Sequence, residues 1–159
     1  MPTKIYLVFL PMSWLCTLED KLSCYDKKIL YLGGNQEDPI GVVDILFDAG
    51  GNIWRNKGEA QEAAKKEFIE ILKELEGALG EKDFFGADAF GFVDILAIAI
   101  TSWFLAFEKC GGFKVDDHCP KFSAWVKRCM NRNSVAKVLP DPEKIYEFVL
   151  GLKKMNGIE

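Results

Sequence analysis

The chain has 159 residues, enough for one domain of ordinary size, and 49% of them are apolar and 13% aromatic, so it can bury a real core. Twenty Lys and Arg stand against 24 Asp and Glu, a formal charge of −4 with no long basic run, which argues against nucleic-acid binding because phosphate neutralisation needs clustered positive charge. The five cysteines have no CxxC spacing and the chain has one histidine, which argues against a disulfide framework, a zinc site and histidine-based triads, and fits a reducing compartment.

Residues 1–45 show weak helical periodicity. Pro2, Pro11 and Pro39 punctuate them, and Gly33-Gly34-Asn35 and Asp38-Pro39 read as turns. An apolar stretch at residues 5–10 has a faint resemblance to a signal peptide. It is short, Pro11 interrupts it, and Glu19 and Asp20 follow, so secretion is not expected. Ile45-Leu46-Phe47 before Gly50-Gly51-Asn52 echoes Ile29-Leu30-Tyr31 before Gly33-Gly34-Asn35, but one echo is no repeat architecture.

From about residue 58 the pattern becomes regular. Phe68, Ile71, Leu72, Leu75 and Leu79 fall on one helical face, Glu62 and Lys66 are spaced as an i,i+4 pair, and Gly80 is placed for a left-handed cap. A second helix is predicted from Gly91 to residue 107. Gly91 is its cap, Asp94 sits where a carboxylate accepts the cap amide, and Phe90 and Ile95 are spaced as a hydrophobic staple. Apolar residues surround this helix, so it is expected in the middle of a bundle. Thr101, Ser102 and the early Asp94 argue against a membrane span. The Asp116-Asp117-His118 stretch reads as a solvated loop. Pro120 opens a third helix with Phe122, Trp125, Val126, Cys129 and Met130 as its buried stripe. Ser134 is placed to cap a short helix ended by Pro140, and Asp141-Pro142-Glu143 starts a last one lined by Ile145, Phe148, Val149 and Leu152. No segment after residue 58 alternates with period two, so the expected class is an all-α bundle of five or six helices.

Three stretches occur in an order and spacing that resembles the tau-class glutathione transferases of plants. They are Ile53-Trp54-Arg55-Asn56-Lys57-Gly58-Glu59, then Phe85-Gly86-Ala87-Asp88-Ala89-Phe90-Gly91-Phe92-Val93-Asp94-Ile95, and Cys119-Pro120-Lys121 running on to Trp125, Arg128 and Met130. The ending from Leu139-Pro140-Asp141-Pro142-Glu143 to Val149 is also close to that class. The resemblance runs from about residue 47 to residue 159 and implies a glutathione transferase C-terminal-like helical domain over 46–159, after an atypical, poorly structured segment over 1–45.

In such a family a thioredoxin-like domain binds glutathione and carries the serine that stabilises its thiolate. The helical domain supplies most of the pocket for a hydrophobic electrophile. Residues 1–45 show no thioredoxin-like strand pattern and no Glu-Ser motif, and Ser13 beside Trp14 lacks the strand-turn-helix around a catalytic serine. The expectation is therefore a family member without its glutathione-binding half, not active alone, with no catalytic residue and no metal. Glutathione is the family's co-substrate rather than a cofactor. The alternative is a non-catalytic module that binds hydrophobic small molecules or pairs with itself or an intact family member. The resemblance places Trp54, Trp103, Phe148, Leu152, Phe47 and Gly51 in the electrophile pocket, Gly91 and Asp94 in a structural cap, and the protein in the cytoplasm. The family often has tyrosine and a basic residue where Phe47 and Gly51 stand, so a hydroxyl and a charge are missing there.

Overall fold

A computed structural model describes residues 39–86 and 89–158, with side chains from residue 44. Every element among them is helical: α1 (Pro39–Arg55), α2 (Glu59–Leu79), α3 (Phe92–Thr101), α4 (Phe104–Gly111), the single turn α5 (Val115–His118), α6 (Pro120–Met130), the single turn α7 (Asn133–Ala136) and α8 (Pro142–Met155). Leu46–Glu159 forms one compact unit. Among the described residues no helix is long and apolar enough to cross a membrane.

The bundle follows from where the apolar stripes meet. In α2, Ala64, Phe68, Ile71, Leu72 and Leu79 are buried, the face that the spacing predicts. Phe68 sits against three rings at once, with centroids 5.5 Å from Phe104, 5.5 Å from Phe107 and 6.0 Å from Phe113, all edge-on. The amphipathic α6 buries Phe122, Trp125 and Cys129 and packs on α2, α3, α5 and α7. Helix α8 lies along α4, where Ile145 and Val149 are buried.

Several local expectations change in three dimensions. Residues 39–45, expected to be poorly ordered, are the first turns of α1, and residues 1–38, Ser13 among them, lie outside the described part. Gly50 and Gly51 sit inside α1. Gly in a helix interior is worth about 1 kcal/mol less than Ala, and here it serves a close contact. A Cβ on Gly50 would stand 2.3–2.7 Å from the Phe107 ring, so the missing side chain is what lets α4 lie on α1.

The helix predicted over 91–107 is two helices. Trp103 N–H donates to the Ile100 carbonyl at 2.9 Å, a three-residue bond that tightens the chain, and Thr101 Oγ1 donates to the Ile98 carbonyl. Glu62 pairs with Lys65 at 2.7 Å rather than with Lys66, which lies 3.9 Å from Glu70. Gly80 has the positive φ of 58°, but its ψ of −127° is not that of a left-handed helix. Ile95 is 54% exposed while Phe90 meets Phe84 and lies under the Arg132 guanidinium, so the staple spacing buries no Ile95 contact. Ser134 stands within α7, capped by Arg132 backbone, and Met130 is exposed. Residues 115–118 are a turn of helix whose first amide, Val115 N–H, donates to Glu108 Oε1 at 2.8 Å, although Asp116, Asp117 and His118 remain exposed.

Candidate functional site

Four polar constructions fix the frame around the aromatic residues. Asp94 is completely buried at the start of α3. Its Oδ2 accepts the Gly91 amide at 2.9 Å, and its Oδ1 accepts the Phe85 amide at 3.0 Å and Trp125 Nε1–H at 2.8 Å. One carboxylate thus holds the helix start, the preceding loop and the middle of α6. Glu76 on α2 does similar work at a distance, since its Oε2 accepts the Phe122 amide at 2.8 Å where α6 has no side-chain cap of its own. Gln61 ties α2 to the ends of α1 and α4 by donating to the Ile53 and Cys110 carbonyls at 2.8 and 3.1 Å. At the start of α8, Asp141 accepts the Glu143 amide at 3.0 Å.

Within that frame, Trp103 lies in the turn between α3 and α4 with an aromatic cluster around it. Phe47 of α1 meets its ring edge-on at 5.0 Å, Phe148 of α8 edge-on at 6.4 Å, and Phe107 of α4 is stacked at 6.4 Å. Trp103 is 9% exposed, and its Nε1–H is fully buried without an acceptor among the described residues. Phe148 is 42% exposed, so α8 carries an aromatic side chain to the edge of the cluster. Leu152, one turn further along α8, is half-buried.

Trp54 and Gly51 belong to a second group. Both are buried on α1, and Trp54 follows Phe47 by seven residues, so they share a face two turns apart. Among the described residues Trp54 has no ring partner; the Arg55 guanidinium lies 5.1 Å from its ring centroid instead. That guanidinium also covers Gly51, where a Cβ would stand 2.8–3.0 Å from it. Burial pushes the Arg55 pKa down, and Asp48 opposes this only in part.

No described thiol is activated. Burial, with Glu76 nearby, raises Cys119 to about 11, and burial with the Asp94 charge raises Cys129 to about 12. Cys110 is raised by burial as well. A shallow groove of about 330 Å³ beside Glu108, Lys109, Phe113, Lys114 and Asp117 has both its lysines already engaged, Lys114 with Glu108 and Lys109 with Glu143. Among the described residues no group of acidic, His or Cys side chains is arranged to hold a metal ion.

The motifs and the fold meet known proteins at this point. The family model for the glutathione S-transferase C-terminal domain matches residues 14–133, beginning ahead of the boundary at 46 read from the sequence. A probable glutathione S-transferase of Nicotiana tabacum is 58% identical over 114 residues, covering 72% of this chain and 52% of that protein. Glutathione S-transferase U28 of Arabidopsis thaliana is 54% identical over 116 residues, covering 72% of this chain and 52% of the relative. The crystal structure of rice GST1 (OsGSTU1), described as a complex with glutathione, matches with a TM-score of 0.68 at 47% identity, covering 72% of this chain and 52% of that one. The chain belongs to the glutathione S-transferase family and carries its C-terminal helical domain. Its relatives bear the U-type names of plants, which makes this domain one of the tau class. The chain spans about half the length of the relatives it matches.

Proposed function

We propose that this bundle holds the hydrophobic electrophile of a glutathione-conjugating enzyme, with glutathione as co-substrate. The observation that carries the reading is Trp103, a buried indole N–H with no acceptor among the described residues, amid Phe47, Phe107 and Phe148. An otherwise apolar ligand with one acceptor atom suits that arrangement, because flat rings supply contact area and the lone donor fixes orientation. Phe47 and Phe148 form the walls, and Trp54, Gly51 and Leu152 extend them along α1 and α8. Gly91 and Asp94 are the structural cap that holds α3, and with it Trp103, in place.

Conjugation needs a thiol whose pKa is lowered. The described cysteines move the other way, so the reacting thiol is that of glutathione, as the glutathione complex of the rice relative also suggests. The free thiols of Cys110, Cys119 and Cys129 suit the reducing cytoplasm. The bundle's residues serve binding rather than proton transfer, and turnover depends on a glutathione-binding region or subunit acting with them. A second reading, a non-catalytic module for hydrophobic ligands or for pairing with another subunit, is favoured by Met155. It is 83% exposed on the same face of α8 as Phe148.

The test is to add a neutral aryl halide to the purified full chain, following tryptophan quenching and glutathione conjugation separately. Saturable quenching is expected, with turnover above the uncatalysed rate only when a glutathione-binding subunit of the class is added. Absence of quenching sinks the pocket. Saturable turnover by the chain alone removes the need for a partner.

A further inference from the structure

Of the chain's asparagines, Asn156 alone is followed by glycine, and the pair stands at the end of α8. The chain leaves the helix there through a glycine cap. Gly157, at a φ of 65°, donates its N–H to the Lys154 carbonyl at 3.2 Å, and Ile158 N–H donates to the Lys153 carbonyl at 3.0 Å. Asn156 is bound twice to one acceptor: its backbone N–H reaches the Leu152 carbonyl at 3.0 Å, and its Nδ2–H reaches the same carbonyl at 2.7 Å. Asn156 and Gly157 are both exposed, so solvent reaches the pair.

An Asn-Gly pair carries its own reaction. The Gly157 nitrogen, once its proton has passed to base, bonds to Asn156 Cγ; the Cγ–Nδ2 bond breaks, ammonia leaves and a cyclic imide closes. Water then adds to one of the imide carbonyls and breaks its bond to nitrogen, which gives aspartate or, with the backbone running through Cγ, isoaspartate. Glycine suits the step because no Cβ obstructs the attacking nitrogen. Ring closure needs that nitrogen eclipsed with Cβ about the Cα–C bond. At the Asn156 ψ of 4° it is eclipsed with the residue's own amide nitrogen instead, and its N–H is held by Lys154. The leaving amide is held as well, by Leu152. The formed cap therefore blocks the reaction, and opening of the last helical turn permits it.

We propose that Asn156-Gly157 is a self-modification site locked by the α8 cap, converted to aspartate and isoaspartate at a rate set by how often the last turn opens. The product does not rebuild the cap. Its carboxylate has no N–H to give the Leu152 carbonyl, and it puts negative charge at the negative end of the helix, where the sequence has placed Lys153 and Lys154. Isoaspartate also adds a methylene to the backbone, which moves the Gly157 and Ile158 amides off the Lys154 and Lys153 carbonyls. The modification is one-way, and it turns a closed end of α8 into an open one that begins one turn from Leu152.

The experiment incubates the full chain at neutral pH and follows the tryptic peptide that begins at Met155 by mass, with a synthetic peptide of residues 151–159 as the unlocked reference. Isoaspartate is identified by methyl transfer to its α-carboxylate with an L-isoaspartyl methyltransferase. The native chain is expected to convert about tenfold more slowly than the peptide, a ratio that measures closure of the cap. Ile158→Pro removes one donor of the cap and leaves the Asn-Gly pair intact, so it should convert within about twofold of a peptide carrying the same proline. The native-to-peptide ratio needs no variant and stands even where Ile158→Pro fails to fold. After conversion, the amides of residues 157 and 158 should exchange hydrogen faster than in the fresh chain. Native conversion as fast as the peptide would mean that the cap is no lock. No conversion in a folded Ile158→Pro chain, while its peptide converts, would mean that the pair does not react in the protein. Either result overturns the proposal, and unchanged hydrogen exchange after conversion overturns the opening of α8.

Discussion

Trp125 and Trp103 are the same side chain in two parts of one bundle, and they are treated in opposite ways. Trp125 is completely buried in α6 with Phe122 and Phe85 against it, and its Nε1–H donates to Asp94 at 2.8 Å. Trp103 is nearly as buried and as closely ringed, yet among the described residues its Nε1–H has no acceptor. An unsatisfied buried donor costs on the order of 1–3 kcal/mol. The Asp94 region is therefore built for stability, with each donor around the carboxylate engaged. The Trp103 region leaves a polar group unmet, and it is on this difference that the proposed pocket rests.

The sharpest way to break this comparison is at Asp94. Asp94→Ala leaves two backbone amides and an indole N–H without their acceptor in a dry site. We expect a loss of about 3 kcal/mol or more by denaturant unfolding, larger than the roughly 1 kcal/mol of an ordinary cap. Trp125→Phe should cost less, about 1–2 kcal/mol, because the carboxylate keeps its two amides. If Asp94→Ala melts like the native chain, the stability region is misidentified.

Gly50→Ala should come next, at about 1–3 kcal/mol destabilising despite the better helix propensity of Ala, because its methyl group collides with the Phe107 ring. Phe107 also stacks on Trp103, so the substitution should shift tryptophan fluorescence as well as lower the melting temperature. A stabilised Gly50→Ala variant would show that α1 and α4 are not in that contact.

How much of this was legible in the sequence differs between the two regions for a physical reason. Periodicity reports which face of a helix is buried, and α2, α6 and α8 were readable from it except at Met130 and Phe148, which are exposed. A cap is local, so the spacing of Gly91 and Asp94 pointed to the right helix start. The other two partners of Asp94, Phe85 and Trp125, lie 9 and 31 residues away, and no local pattern carries them. The Glu76 carboxylate that receives the Phe122 amide is 46 residues distant and was equally invisible. Gly50 sits inside α1 and makes room for the Phe107 ring, which no local pattern shows. The aromatic residues taken from the family resemblance do not all share one cluster: Phe47, Trp103 and Phe148 meet, while Trp54 and Gly51 face Arg55. Arg55 could have been flagged by its i+4 spacing from a glycine on an apolar face, but spacing alone does not say that a side chain folds back.

A further effect, confined to alkaline pH, comes from the thiol beside the Asp94 region. Burial first, and the Asp94 charge second, raise Cys129 from 9.0 to about 12. The folded value lies above the unfolded one, so this stabilisation is complete below about pH 9 and is lost as pH rises towards about 12. Melting temperature should therefore decline across that window, and Cys129→Ala should flatten the decline. At pH 8 in the native state, peptide mapping after alkylation should find Cys119 and Cys129 unmodified. Rapid labelling of Cys129 would mean that the Asp94 end opens more readily than its hydrogen bonds imply.

The smallest expected change in stability is at Trp103, and it separates the two regions most cleanly. Trp103→Phe removes a buried N–H that has no acceptor among the described residues, so the loss of contact area is offset by relief of an unmet polar group. We expect the melting temperature to stay close to native, in contrast to Trp125→Phe, although the same atoms are deleted. Binding should show the reverse. A neutral aromatic ligand with a nitro or carbonyl oxygen should lose roughly tenfold in affinity at Trp103→Phe, while the same ring without an acceptor should bind almost unchanged. If both ligands weaken equally, Trp103 acts only as a wall. A marked drop in melting temperature would instead mean that its N–H is satisfied in solution, and the bundle would then have two stability centres and no directed donor.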